Sequence, residues 1–177
     1  MRRTSWLVIG CVVLAAATAC KKDGAGSGDK DWSKVALQPY EGEVDGIKFT
    51  VQVPEGMKLG EQEKIRVEWE IEQGDEFKAP HLRVSKAFIP PKTVEEAVKD
   101  VMPDDTDVIV KQEAIDGGFL VVWHTKKKGL VRAATYQIGG EDRALDCHAS
   151  LANDDGIPNF EGTMAWLEQI CRSLQLQ

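Results

Sequence analysis

Four strand-like segments rich in apolar residues, separated by short turn sequences, occupy the second half of this 177-residue chain and restrict it to an antiparallel sheet. Val108–Ile115 and Phe119–Thr125 flank Asp116-Gly117-Gly118, a hairpin sequence in which glycine supplies the positive φ that tight turns need. Lys126-Lys127-Lys128-Gly129 turns the chain into Leu130–Ile138, and Gly139-Gly140-Glu141-Asp142 turns it again into Ala144–Leu151. Connections this short join antiparallel neighbours, because a parallel return needs a crossover of about a dozen residues or more.

Upstream, Ile47–Val53 alternates cleanly and stops at Pro54. Ile65, Val67, Trp69 and Ile71 alternate with Arg66, Glu68, Glu70 and Glu72, and Leu82–Ile89 forms a third strand that ends at Pro90-Pro91. Thr93-Val94-Glu95-Glu96 has the form of a capping box and opens a short helix with Val94, Ala97, Val98 and Val101 on its apolar side. Pro103 closes it. After the polar stretch Asn153–Asn159, a final helix runs from Phe160 to about Leu174. The order β-β-β-α-β-β-β-β-α predicts a single α+β domain over 41–177, a mainly antiparallel sheet of about six to seven strands packed by a short mid-chain helix and a C-terminal helix.

Two cysteines sit where that fold would bring them together. Cys147 shares an inward phase with Leu145, Ala149 and Leu151. Cys171 belongs to the stripe Phe160, Met164, Leu167, Cys171, Leu174, spaced as one face of a helix. One inward cysteine on a strand and one on a helix predict a core-crossing Cys147–Cys171 disulfide, if the domain matures in an oxidising compartment.

The N-terminus points to such a compartment. Arg2 and Arg3 precede the uncharged stretch Trp6–Ala19, whose 14 residues are short for a ~30 Å hydrocarbon core but suit the apolar part of a signal peptide. Ala17-Thr18-Ala19-Cys20 resembles the lipobox of bacterial lipoproteins, although that pattern more often has Leu where Ala17 stands. The resemblance implies cleavage after Ala19, removal of Cys11 and acylation of Cys20. Several acyl chains, at ~0.8 kcal/mol per buried CH₂, anchor a protein stably. Residues 20–40, beginning Lys21-Lys22-Asp23-Gly24, are expected to be a flexible tether. Because Lys21 rather than Asp follows the cysteine, the resemblance favours the outer membrane over the inner. A plain secreted protein cut at the same site and an uncleaved anchor helix are the alternatives.

Loss of residues 1–19 removes two of the 22 basic residues and leaves 20 against 29 acidic ones, a net charge near −9. So acidic a body makes nucleic acid an unsuitable partner, since phosphate-backbone binding needs a basic patch. It also leaves the lipid, rather than electrostatic attraction to anionic headgroups, to hold the protein at a membrane.

The opening strand ending in Val53-Pro54-Glu55-Gly56, the mid-chain helix, the meander and the closing segments LDCHASL (145–151) and FEGTMAWLEQICRSLQL (160–176) together resemble the Mog1/PsbP-like group of α/β/α sandwiches. The likeness spans roughly residues 42–176. It implies a mostly non-catalytic accessory or assembly protein, and it carries over no functional residue.

Candidate chemistry is sparse. His81, His124 and His148 are all expected on the outward phase of their strands, and His124, Asp146 and His148 form a speculative surface site for a hydrolase-like reaction. Solvent-facing histidines are the simpler reading, and no G-x-S-x-G, H-E-x-x-H or phosphate-binding loop accompanies them. Asp104-Asp105-Asp107 and Asp154-Asp155-Gly156 lack the register of a calcium loop and are read as solvated loop carboxylates. Lys126–Lys128 reads as a charged hairpin tip, and Glu68, Glu70 and Glu72 as a wetted sheet face. Trp69, Trp123 and Trp166 are expected to be core residues. No metal or cofactor is expected. The leading function is a lipid-anchored cell-envelope protein that binds a protein partner without catalysis; the alternatives are a carrier of a small apolar ligand or lipid and, third, a hydrolase-like enzyme.

Overall fold

The computed structural model describes residues 30–71, 78–101, 103–140 and 142–177. The signal segment, Cys11, Cys20, the first part of the expected tether and Glu72 lie outside the described residues.

The elements in chain order are a 3-10 turn (Trp32–Lys34), β1 (Leu37–Val44), β2 (Ile47–Pro54), β3 (Met57–Glu63), β4 (Arg66–Ile71), β5 (His81–Lys86), α1 (Val94–Asp100), β6 (Asp107–Ile115), β7 (Gly118–Thr125), β8 (Leu130–Ile138), β9 (Ala144–Ala152), α2 (Phe160–Arg172) and β10 (Gln175–Leu176). Seven strands form one antiparallel sheet in the order β3-β4-β5-β9-β8-β7-β6, and β1, β2 and β10 form a second sheet of three. The chain leaves β5, crosses through α1 to the far edge at β6, and returns as the expected meander until β9 docks beside β5.

Register decides which residues meet. Leu82 stands opposite Ala149, which stands opposite Ala133, which stands opposite Val122, so all four face the same side. On that side the sheet packs against α2 and the three-stranded sheet, enclosing a core that includes Trp69, Val84, Leu120, Leu151, Phe49, Trp166, Leu167 and Leu174. A smaller cluster on the opposite side joins Ala97 of α1 to Val121, Trp123, Ala134 and Tyr136.

Cys147 and Cys171 stand at disulfide distance with their Cα atoms 5.4 Å apart, linking β9 to α2 through the larger core. The helical stripe that led to this pairing is buried or half-buried along its length, with Trp166 and Ile170 added to it. Thr93 caps α1 by accepting a hydrogen bond from the Glu96 amide at 3.2 Å. The reciprocal bond differs from a capping box: the Glu96 carboxylate takes the Lys92 amide, at 2.7 Å.

Three expectations need correction. Regular structure begins well before residue 41: Trp32 is buried with its indole nitrogen donating to the Lys78 carbonyl at 3.1 Å, and β1 starts at Leu37. Pro39 is tolerated there because β1 is an edge strand that owes no partner on its outer side. The strand expected over 82–89 ends at Lys86, and Phe88 and Ile89 are exposed in the following loop. Trp123 belongs to the α1 side and not to the core shared by Trp69 and Trp166.

Candidate functional site

Among the described residues, half of the sheet face on the α1 side is left open. Helix α1 is only seven residues long and lies over β6 and β7. The uncovered half belongs to β4, β5 and β9, whose outward residues are polar. Across it, Glu68 pairs with Arg83 and Arg83 with His148; in the next row His81 pairs with Ser150 and Ser150 with Arg132. Arg132 in turn stands beside Trp123 and places its guanidinium 6.0 Å from the centre of the indole ring.

These rows form the walls of a cleft of about 370 Å³, lined by His81, Arg83, Trp123, Arg132, His148 and Ser150 and closed at the helix side by Asp100 and Val101. Its floor is held by a buried carboxylate. Asp146, only 8% exposed, accepts hydrogen bonds from the Ser85 hydroxyl at 3.0 and 3.1 Å and lies 3.1 Å from Nε2 of His148. One imidazole nitrogen is thereby committed to Asp146, which orients the ring over the sheet. No hydrogen bond joins Ser150 to His81 or His148 among the described residues. Asp100 accepts a hydrogen bond from the Tyr136 hydroxyl, so α1 is tied to β8 at the cleft margin. Burial first, and the Asp100 carboxylate second, push the Tyr136 phenol well above its ordinary value.

The speculative trio separates. Asp146 and His148 are neighbours, but His124 stands opposite Val131, which stands opposite Leu151, and so faces α2. There its ring meets Phe160 edge-on, with centroids 5.1 Å apart, and its Nδ1 lies 2.7 Å from the Thr125 carbonyl oxygen. The phase of β7 was misread because Leu120, Val121, Val122 and Trp123 are all buried, so apolar character does not distinguish its two faces. Register with β8 does. His81 was correctly placed on the outward phase, but nothing in the sequence alone set it beside Ser150, since that pairing joins residues far apart in the chain.

The remaining candidates are ordinary. Asp104 accepts from the Thr106 amide at 2.6 Å, and Asp107 accepts from the Asp104 amide at 3.1 Å, so these carboxylates shape their own loop. Lys126 donates to the Asp105 carbonyl and Lys128 approaches Glu161 at 3.3 Å. Among the described residues no group of three or more His, Cys, Asp or Glu side chains is arranged to hold a metal ion. None of the described helices is long and apolar enough to cross a membrane.

The architecture is an α+β sandwich of mainly antiparallel strands with one helix on each side of the large sheet. It is similar to a solved structure of a mutant of the protein Mog1, with a TM-score of 0.53 and 11% sequence identity, over 78% of this chain and 96% of that one. A structure from Bacteroides thetaiotaomicron gives a TM-score of 0.42 at 10% identity, covering 79% of this chain and 48% of that chain. No protein-family model matches the sequence, and no curated protein matches it significantly. What is shared with Mog1 is therefore the fold.

Proposed function

We propose that the chain is a lipid-anchored protein of the cell envelope, held through an acylated Cys20, whose folded domain binds a partner and carries out no chemistry on it. The observation that carries the anchor is the sequence Ala17-Thr18-Ala19-Cys20 directly after an apolar stretch of 14 residues. The resemblance to bacterial lipoproteins, with Lys21 rather than Asp after the cysteine, favours the outer membrane over the inner. An oxidising location also suits Cys147 and Cys171, which stand at disulfide distance.

The open half of the large sheet supports the binding reading. It offers a concave polar surface beside α1, and among the described residues the His148 imidazole has no hydroxyl or thiol hydrogen-bonded to it as a nucleophile would be; the Ser85 hydroxyl sits on the Asp146 carboxylate instead. The apolar-carrier reading has less support: Trp69 and Trp166 are packed in the main core, and the cleft that Trp123 lines is otherwise walled largely by polar residues, His81, Arg83, Arg132, His148 and Ser150.

Fractionation of cells expressing the full chain tests the anchor. The protein should pellet with membranes and be released by detergent, and Cys20→Ser should shift it to the soluble envelope fraction. Membrane retention of Cys20→Ser would refute the lipid anchor. A defined hydrolytic activity lost in both His148→Ala and Asp146→Asn would refute the non-catalytic reading.

A further inference from the structure

We propose that the cleft beside α1 is a binding site for a phosphate group, held between Arg83 and Arg132 above Ser150. The inference concerns the folded domain alone and does not depend on the lipid anchor.

Two arginines of the cleft lack a hydrogen-bonding or ion-pair partner among the described residues, Arg132 meeting the Trp123 ring instead. Of the arginines in the described residues, Arg66 meets Glu63 and Glu68, Arg172 meets Glu113 and Glu168, and Arg143 donates to the Gln177 oxygen at 2.6 Å. Arg83 and Arg132 have neither an ion pair nor a hydrogen bond from the side chain, and both line the same cleft. In a chain with 29 acidic residues against 22 basic ones, leaving two guanidiniums without a direct ion pair at one cleft is a specific arrangement. The nearby carboxylates hydrogen-bond or pair elsewhere: Asp100 with Tyr136, Asp146 with Ser85 and His148, Glu68 opposite Arg83 with Arg66, and Asp104, whose charge reaches Arg132, with Thr106.

A second observation points the same way independently. Trp123 is 2% exposed and lines the cleft, yet its indole N–H has no acceptor, and the buried Nε of Arg83 has none either. A buried donor without a partner costs about 1–3 kcal/mol, so these groups gain most from a ligand that is purely an acceptor.

Sheet register makes the donors converge. Ser150 and His148 lie on the central strand β9, Arg83 and His81 on β5 to one side, and Arg132 on β8 to the other. Neighbouring strands are ~4.8 Å apart, so two long guanidinium side chains flanking β9 can close over one group seated on it. Two guanidiniums, an indole N–H, a hydroxyl and an imidazole provide more donors than the two oxygens of a carboxylate use well. They match the oxygens of a phosphate, which guanidinium forks bind bidentately. At about 370 Å³ the cleft also exceeds a bare ion, which leaves room for the organic part of a phosphate monoester.

The test is titration of the detergent-solubilised full chain with inorganic phosphate, with phenyl phosphate and with acetate, at constant ionic strength, following the Trp123 indole N–H resonance by NMR. Saturable shifts with both phosphates are expected, tighter for phenyl phosphate if the monoester is the natural form, with acetate at least tenfold weaker. Arg83→Gln and Arg132→Gln should each weaken phosphate binding at least tenfold, Arg83→Lys should restore part of it, and Lys111→Gln should change nothing. Retained dispersion of the remaining resonances shows that each variant is folded. If the Trp123 resonance does not saturate with either phosphate, if acetate binds as well, or if folded Arg83→Gln and Arg132→Gln bind like the unaltered protein, the proposal is wrong.

Discussion

The hydroxyl of Tyr136, on β8, donates its hydrogen to the carboxylate of Asp100 in the last turn of α1, fastening the short helix to the sheet face that it half covers. The phenol is held above its usual value by burial and by Asp100. A phenol that binds its proton more tightly in the folded state stabilises the fold below the unfolded value near 10, and that contribution is lost as pH rises beyond it. Tyr136→Phe should therefore cost about 1 kcal/mol at pH 7, and the gap between variant and parent should narrow above pH ~10. Urea unfolding at both pH values measures it; a gap independent of pH would contradict the assigned bond.

The Cys147–Cys171 pair closes a loop with a sequence separation of 24. In the chain-entropy model a disulfide across such a loop contributes roughly 3 kcal/mol. Reduction with dithiothreitol should lower the urea midpoint accordingly, and the double variant Cys147→Ala, Cys171→Ala should no longer respond to reductant. An unaltered midpoint on reduction of the parent would show that the pair is not oxidised.

Glycine at 118 is demanded by sheet geometry. A Cβ there would fall 1.7 Å from the Tyr136 carbonyl oxygen, which is backbone of the paired strand and cannot rotate away. Gly118→Ala should cost about 1–3 kcal/mol by forcing β7 away from β8. By contrast, the nearest atom to a Cβ at Gly129 is 3.6 Å away. Gly129→Ala should stay within about 0.5 kcal/mol of the parent. Thermal unfolding of the two variants side by side distinguishes these outcomes.

Glu168 anchors an ion-pair group in which Lys111 lies at 2.7 Å and Arg172 at 2.8 Å. Burial pushes its carboxyl up, but the hydrogen bonds from Lys111 and Arg172 outweigh that and leave it below the usual carboxylate range. A depressed carboxyl stabilises the fold above the unfolded value near 4.3 and loses that effect as pH falls through the folded value. Glu168→Gln should cost no more than about 1 kcal/mol at pH 7 and should flatten the acid limb of the stability profile below pH ~4.5. An acid limb as steep as the parent's would count against the network.

How legible this fold is in its sequence depends on how many faces of each strand are covered. The meander from Val108 to Leu151 was readable because hairpin turns fix which strands are neighbours, and the Cys147–Cys171 pairing followed from two clear periodicities. β1 and β3 were missed for opposite reasons. Pro39 and Gly42 interrupt the pattern of β1, while Leu59 is exposed in β3, an edge strand whose register slips between Leu59 and Gln62. β10 is two residues long and exists only through its pairing with β2. The cleft was invisible as a site because Arg83, Arg132, His148 and Ser150 come from three strands. Only the order β5-β9-β8, a product of the crossover through α1, brings them together.

The anchored, envelope-located reading is tested most directly by mass spectrometry of the N-terminal peptide of the mature protein purified from membranes. Acylation of Cys20 gives a peptide that begins at Cys20 and carries the added mass of several acyl chains. A peptide that begins at Met1, or one that begins at Cys20 without added lipid, would contradict it.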